Sequence, residues 1–155
     1  MDEKQFFNNL PAFQDLPQAE TSALLESLQL LEFAPGYTFY SPGTPTQEMF
    51  LLLEGGVLVA RGDDGEAAIE SSELRAGEVF GLLGLVPGLP ATSTARAVTP
   101  VKVAQITQTA YQALIDNAPT VALRLQRMIA VQLARELQFR NRLLRARMRM
   151  DMSAS

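Results

Sequence analysis

The chain has 155 residues, about one domain's worth, and its 47% apolar and 19% charged residues make an ordinary globular composition. It holds no Cys and no His, which excludes disulfides, thiolate nucleophiles, imidazole bases and nearly every zinc or haem site. The net charge of −4 is unevenly spread: residues 1–120 carry fifteen Asp/Glu against five Lys/Arg, whereas residues 121–155 carry eight Arg against Glu136 and Asp151. An acidic body with a basic end is not a general nucleic-acid binder, but the end suits an anionic partner.

Phe6, Phe7, Leu10 and Phe13 fall at helical spacing, with Pro11 interrupting them. Pro17 then opens a second helix with Leu24, Leu25, Leu28 and Leu31 on one face. From Phe33 the texture changes. Turn residues arrive at short intervals and separate candidate strands at Tyr37–Tyr40, Met49–Leu53, Val57–Ala60, Ala67–Ile69, Ala95–Val98 and Val101–Ile106. Short strands so punctuated predict an antiparallel sandwich or barrel. Arg61-Gly62-Asp63-Asp64-Gly65 reads as a hairpin tip, because Asp-Gly tolerates positive φ. The longest nearly apolar run, Val79 to Leu89, is too short to span a bilayer and is broken by Pro87. The acidic start, Met1-Asp2-Glu3-Lys4, is unlike a secretory signal, so a cytoplasmic protein is expected.

After Ile106, Thr107 or Thr109 caps a short helix through Ile115, and Asp116-Asn117-Ala118-Pro119 breaks it. From Thr120 to about Met150 there is neither Gly nor Pro, which predicts one helix of about 45 Å. The expected organisation is a body over residues 1–117, a long helix over 118–150 and a tail over 151–155.

A helix of that length on so small a body needs a partner for part of its surface. Stepping about 100° per residue puts Ala122, Ile129, Leu133, Leu137, Leu144 and Met148 in one stripe. Val121, Leu125, Met128, Phe139 and Leu143 form another on an adjoining side. Two apolar faces imply two packing tasks, one against the body and one against a second copy, with Leu125, Met128, Ile129, Gln132, Leu133, Leu137 and Leu144 as the expected dimer seam. Arg124, Arg127, Arg135, Arg142, Arg145 and Arg149 gather in one sector. That stripe serves nucleic acid, an acidic partner or anionic lipid, or is simply a solvated face that suits the helix C-terminal dipole.

The most informative stretch runs from Gly77-Glu78-Val79-Phe80-Gly81-Leu82-Leu83-Gly84-Leu85 to Pro90-Ala91-Thr92-Ser93-Thr94-Ala95-Arg96-Ala97. It reads as a strand end, a Gly turn, one short helical turn, a loop and a strand. A helix start after Gly exposes unpaired amides, and Thr92, Ser93 and Thr94 add hydroxyls across the loop.

On these residues the chain resembles the cyclic nucleotide-binding domain family, whose phosphate-binding cassette runs roughly G-E-x-F-G-E-L-A-L-x-x-x-x-P-R-x-A-T-V-x-A. Gly77, Glu78, Phe80, Gly81, Leu83, Leu85, Pro90, Thr94 and Ala97 fall on matching positions without a gap. Leu51-Leu52-Leu53-Glu54-Gly55-Gly56-Val57 resembles the family's strand pair upstream, and the likeness covers roughly residues 10 to 145. It implies an α+β, mainly β fold: an antiparallel β jelly roll flanked by N-terminal helices and a long C-terminal helix. It also implies a ligand pocket at Gly81, Leu82, Leu83, Gly84, Ala91, Thr92 and Ser93.

Two departures bear on function. The family's ribose-binding Glu and phosphate-binding Arg are replaced here by Leu82 and Ala91. Glu78 matches the family's earlier Glu, not the ribose ligand. A charge-assisted hydrogen bond is worth about 1.5–3 kcal/mol, and a desolvated phosphate without its cation costs about 3–5 kcal/mol. Together the losses weaken a cyclic nucleotide by roughly three orders of magnitude. Because Leu82 with Ala91 leaves no unpaired charge, the pocket reads as apolar or closed.

The expected function is a non-catalytic regulatory module, a homodimer acting through protein partners, with weak or no ordinary cyclic nucleotide binding. Two alternatives stand beside it: a sensor of cyclic nucleotide or another small ligand through unorthodox contacts, and a nucleic-acid binder using the Arg stripe. No cofactor other than a cyclic nucleotide is expected, no metal and no membrane span. In the resemblance's DNA-binding branch a helix-turn-helix domain follows the long helix, and only Asp151-Met152-Ser153-Ala154-Ser155 follows here, so nucleic acid is not the expected partner. Catalysis without His or Cys would need paired carboxylates, Lys or an activated Ser, yet the acids are scattered and only Lys4 and Lys102 exist. Lys102 alternates with Val101 and Val103 and is expected to point outward.

Overall fold

The computed structural model describes residues 3–61 and 70–154. Two short helical pieces, α1 (Glu3–Asn9) and a 3-10 turn (Pro11–Phe13), precede α2 (Gln18–Glu26). Pro17 is the residue just before α2, where its missing N–H costs nothing. The helix ends sooner than the leucine spacing predicts. The Ser27 hydroxyl donates to the Ala23 carbonyl at 2.8 Å, and its backbone N–H reaches the Ala23 and Leu24 carbonyls. Leu31 therefore belongs to a strand, β1 (Gln29–Phe33), and not to the helix.

Seven further strands follow: β2 (Thr38–Tyr40), β3 (Glu48–Glu54), β4 (Val57–Arg61), β5 (Glu70–Leu74), β6 (Val79–Phe80), β7 (Thr94–Ala97) and β8 (Val101–Thr107). They form two four-stranded antiparallel sheets, ordered β1-β8-β3-β6 and β2-β7-β4-β5. This is the antiparallel β-roll that the family resemblance implies. The predicted strand at Ala67–Ile69 and the hairpin tip beyond Arg61 lie outside the described residues.

β3 explains the architecture. Its five central residues, Met49 to Leu53, are all buried, because both faces of the strand are covered. Met49, Leu51 and Leu53 point to a core shared with the helices, alongside Phe7, Phe13, Leu24, Ile106 and Leu114. Phe50 and Leu52 point the other way, into the space between the sheets, where they meet Val57, Phe80, Ala95 and Val103. Phe50 and Phe80 stack at 5.1 Å, and Phe39 meets both edge-on at about 5 Å.

Thr107 caps α3 (Gln108–Asn117) by accepting the Ala110 N–H at 3.1 Å. After Ala118 the chain re-enters a helix at once, and α4 (Pro119–Ala154) runs for 36 residues, about 54 Å. It does not end near Met150: the residues expected as a tail continue it to Ala154. Nor does it start outside the body, since Val121, Ala122 and Leu125 are buried in the helix-side core. None of the described helices is long and apolar enough to cross a membrane.

Candidate functional site

The cassette is short and tightly held. Gly81, with φ +73°, turns the chain from β6 into a single 3-10 turn, Leu82–Leu85. Four residues carry little dipole, so the anion-binding helix start expected from sequence reduces to a few turn amides. Gly84 is buried against the backbone of Glu48, and its carbonyl accepts the Gln108 side-chain N–H at 2.7 Å. The turn is thereby fixed to β3 and to the start of α3.

The turn borders a cavity of about 1040 Å³ between the β-roll and α4. Of the residues expected to form the pocket, Gly81, Leu82, Leu83, Ala91, Thr92 and Ser93 line it, while Gly84 faces the body instead. Leu82 and Ala91 supply hydrocarbon to the wall. The pocket is not closed, however, and its lining is not wholly apolar. Val57 and Val59 face the sheet interior, and the same alternation brings Arg61 to the cavity, two residues further along β4. Its Nε is buried and has no hydrogen-bond partner among the described residues.

Tyr40 stands at the same end. Burial pushes its phenol above the ordinary value, against the opposing pull of the Gly81 amide, the Ser93 hydroxyl and the Arg61 charge. Sequence reading missed Arg61 by placing it in a hairpin tip. The alternation of Val57, Val59 and Arg61 was the available signal.

The other wall is α4. Gln132 is buried, donating from Nε2 to the Val79 carbonyl at 2.6 Å and accepting the Val79 N–H on Oε1 at 2.7 Å. Strand β6 is the edge of its sheet, so this amide completes the edge as a neighbouring strand would. Of the expected dimer seam, Leu125 and Gln132 are thus spent inside the chain, and Met128 and Ile129 pack half-buried on the same core. Leu133, Leu137 and Leu144 remain exposed, Leu137 at 60% and Leu144 at 57%.

The basic stripe also divides. Arg124 donates to the Gln14 carbonyl and ties α4 to the N-terminal segment. Arg135 is exposed at the cavity rim, and Arg127, Arg142, Arg145 and Arg149 are exposed along the helix. Lys102 points off its strand, as expected, and pairs with Glu3 at 2.8 Å. Among the described residues no cluster of His, Cys, Asp or Glu is arranged to hold a metal ion.

Residues 30–118 match the family model described as cyclic nucleotide-binding domain. The chain is 30% identical over 112 residues to a cAMP-dependent protein kinase regulatory subunit of Colletotrichum orbiculare, spanning 72% of this chain and 28% of that relative. It is 27% identical over 124 residues to a CRP-like cAMP-activated global transcriptional regulator of Mycobacterium tuberculosis, spanning 79% of this chain and 55% of that relative. The chain therefore covers only a part of these relatives' length. The Thermus thermophilus catabolite activator protein superposes with a TM-score of 0.72 at 27% identity, covering 86% of this chain and 62% of that structure. A cyclic nucleotide-binding domain from Methylobacillus flagellatus gives 0.74 at 20% identity over 86% of this chain and 75% of that structure, a likeness of fold. With more than half of its residues matching the family model and a β-roll that superposes on these structures, the chain belongs to the cyclic nucleotide-binding domain family.

Proposed function

We propose that this domain is a non-catalytic regulatory module in the cytoplasm that binds the ordinary cyclic nucleotides weakly or not at all and acts as a homodimer through protein partners. The observation that supports the reading is that Leu82 and Ala91, which the resemblance aligns with the family's ribose- and phosphate-binding residues, both line the cavity. Neither side chain offers a hydrogen bond or a charge, so a nucleotide entering there loses water without recovering its contacts. The regulatory part rests on adjacency. The cavity shares a wall with α4, and Gln132 ties that helix to Val79, two residues before the Gly81 turn. Whatever fills the cavity bears directly on the helix position. The homodimer rests on the outer half of α4, where Leu137, Leu144 and Met148 stand more than half exposed among the described residues.

Isothermal titration with cyclic AMP and cyclic GMP tests the binding claim. The expected result is no saturable heat at micromolar ligand, with binding restored in the double variant Leu82→Glu, Ala91→Arg. A micromolar dissociation constant for the unmodified chain overturns the proposal.

A further inference from the structure

The cavity contains a cation that the cassette pattern does not account for. Arg61 enters from β4, across the roll from the turn, and its buried Nε has no hydrogen-bond partner among the described residues. Among the described residues, two of the carboxylates that border the cavity have hydrogen bonds of their own. Glu136 accepts from Gln132 Nε2 at 3.1 Å and Glu78 accepts the Arg75 N–H at 3.1 Å. Arg135 and Arg147 also border the space, so the charge of its described lining does not rest on Arg61 alone. A guanidinium N–H removed from water without an acceptor is costly, and an incoming anion would relieve that cost.

The rest of the lining limits what carries the charge. Leu82, Leu83, Val86, Ile129 and Leu133 form broad hydrocarbon walls, and Leu82 takes the position that the resemblance gives to a sugar-binding carboxylate. At about 1040 Å³ the space is far larger than an inorganic ion. We infer that the cavity is the binding site of an amphipathic organic anion, a carboxylate or phosphoryl group on an apolar or aromatic body. Arg61 meets the charged group, the hydroxyls of Tyr40 and Ser93 stand beside it, and the leucine walls hold the body. The inference rests on the proposed function in one respect: the same Leu82 that turns away the ribose supplies the apolar wall.

Two naphthalene probes separate charge from hydrophobicity, using the full chain. The anion 8-anilinonaphthalene-1-sulfonate should bind saturably and weaken with added salt. Its uncharged analogue N-phenyl-1-naphthylamine should bind without salt dependence. Arg61→Met should weaken the sulfonate about tenfold or more while leaving the neutral probe within about twofold, and Arg61→Lys should retain most of the affinity. An equal loss for both probes, or none for the sulfonate, overturns the inference.

A measurement on the unmodified protein guards against a variant that fails to fold. The Arg61 Nε–Hε resonance, identified by its loss in Arg61→Lys, should shift on adding the sulfonate, and a stationary signal at saturation overturns the assignment. Displacement of the sulfonate by laurate or by phenyl phosphate identifies which head group is preferred, and displacement by neither overturns the ligand class. Tight cyclic AMP binding would defeat the proposed function alone, whereas probe binding indifferent to Arg61 would defeat this inference alone.

Discussion

At the scale of single residues, two positions carry more than their size suggests. Gly84 lies so close to β3 that a Cβ would enter the Glu48 carbonyl oxygen and stand 2.8 Å from the Glu48 carbonyl carbon. Both neighbours are backbone, so neither yields by rotating a side chain. Gly84→Ala is expected to destabilise the domain by about 3 kcal/mol through this overpacking, measured by urea denaturation. An unchanged midpoint would show that the turn lifts off β3 without cost. Gln132 acts differently, through its two hydrogen bonds to one edge residue. Gln132→Leu keeps the volume but leaves the Val79 N–H and carbonyl unpaired, an expected loss of about 2–3 kcal/mol. Faster hydrogen exchange at the Val79 amide would accompany it.

At the scale of elements, the N-terminal helix is pinned to the sheet by Lys102 and Glu3 at 2.8 Å. The hydrogen bond from Lys102 holds the Glu3 carboxyl below its ordinary value, and the same bond holds the Lys102 ammonium above its own. The depressed carboxylate contributes stability that is present above its unfolded-state pKa and is lost as pH falls through the folded-state value. The raised ammonium contributes stability that is present below its unfolded-state pKa and is lost as pH rises through the folded-state value. Docking of α1 is therefore expected to be firmest across the neutral range and to weaken in acid and strong alkali, as read by hydrogen exchange of α1 amides. Glu3→Gln should flatten that dependence. The effect is small, because the pair is part-exposed and screened by salt.

Element boundaries were legible where the reason for them was local. The Thr107 cap, the break before Pro119 and the alternation in β3 are written in adjacent residues. Strand β1 was not legible, because Leu28 and Leu31 continue the spacing of α2. What assigns Gln29–Phe33 to a strand is five paired positions on β8, more than sixty residues away in the chain. β5 was hidden for a related reason: Glu-Ser-Ser-Glu-Leu has little strand character until it pairs with β4.

At the scale of the whole molecule, α4 has two halves with different tasks. Its first turns complete the core, and its outer half leaves Leu137, Leu144 and Met148 more than half exposed. A symmetric pair of such helices covers these side chains in one step. Sedimentation is expected to give the mass of two chains, and Leu137→Glu with Leu144→Glu the mass of one. A single-chain mass for the unmodified protein would remove the dimer from the proposed function.

The sequence by itself determined a run of short antiparallel strands, the cassette turn and the long helix, because short-range spacing of Gly, Pro and apolar residues decides local conformation, and the family resemblance added the β-roll. It also aligned Leu82 and Ala91, through the resemblance, with the family's ribose- and phosphate-binding positions, and the proposed function rests on that alignment. Only the tertiary structure decided what else surrounds them. The cavity is made by α4 crossing the roll, Gln132 is spent on Val79, and Arg61 arrives from a strand distant in the chain. A binding site is a meeting of remote residues, and its charge is set by which side chains the fold brings to one wall.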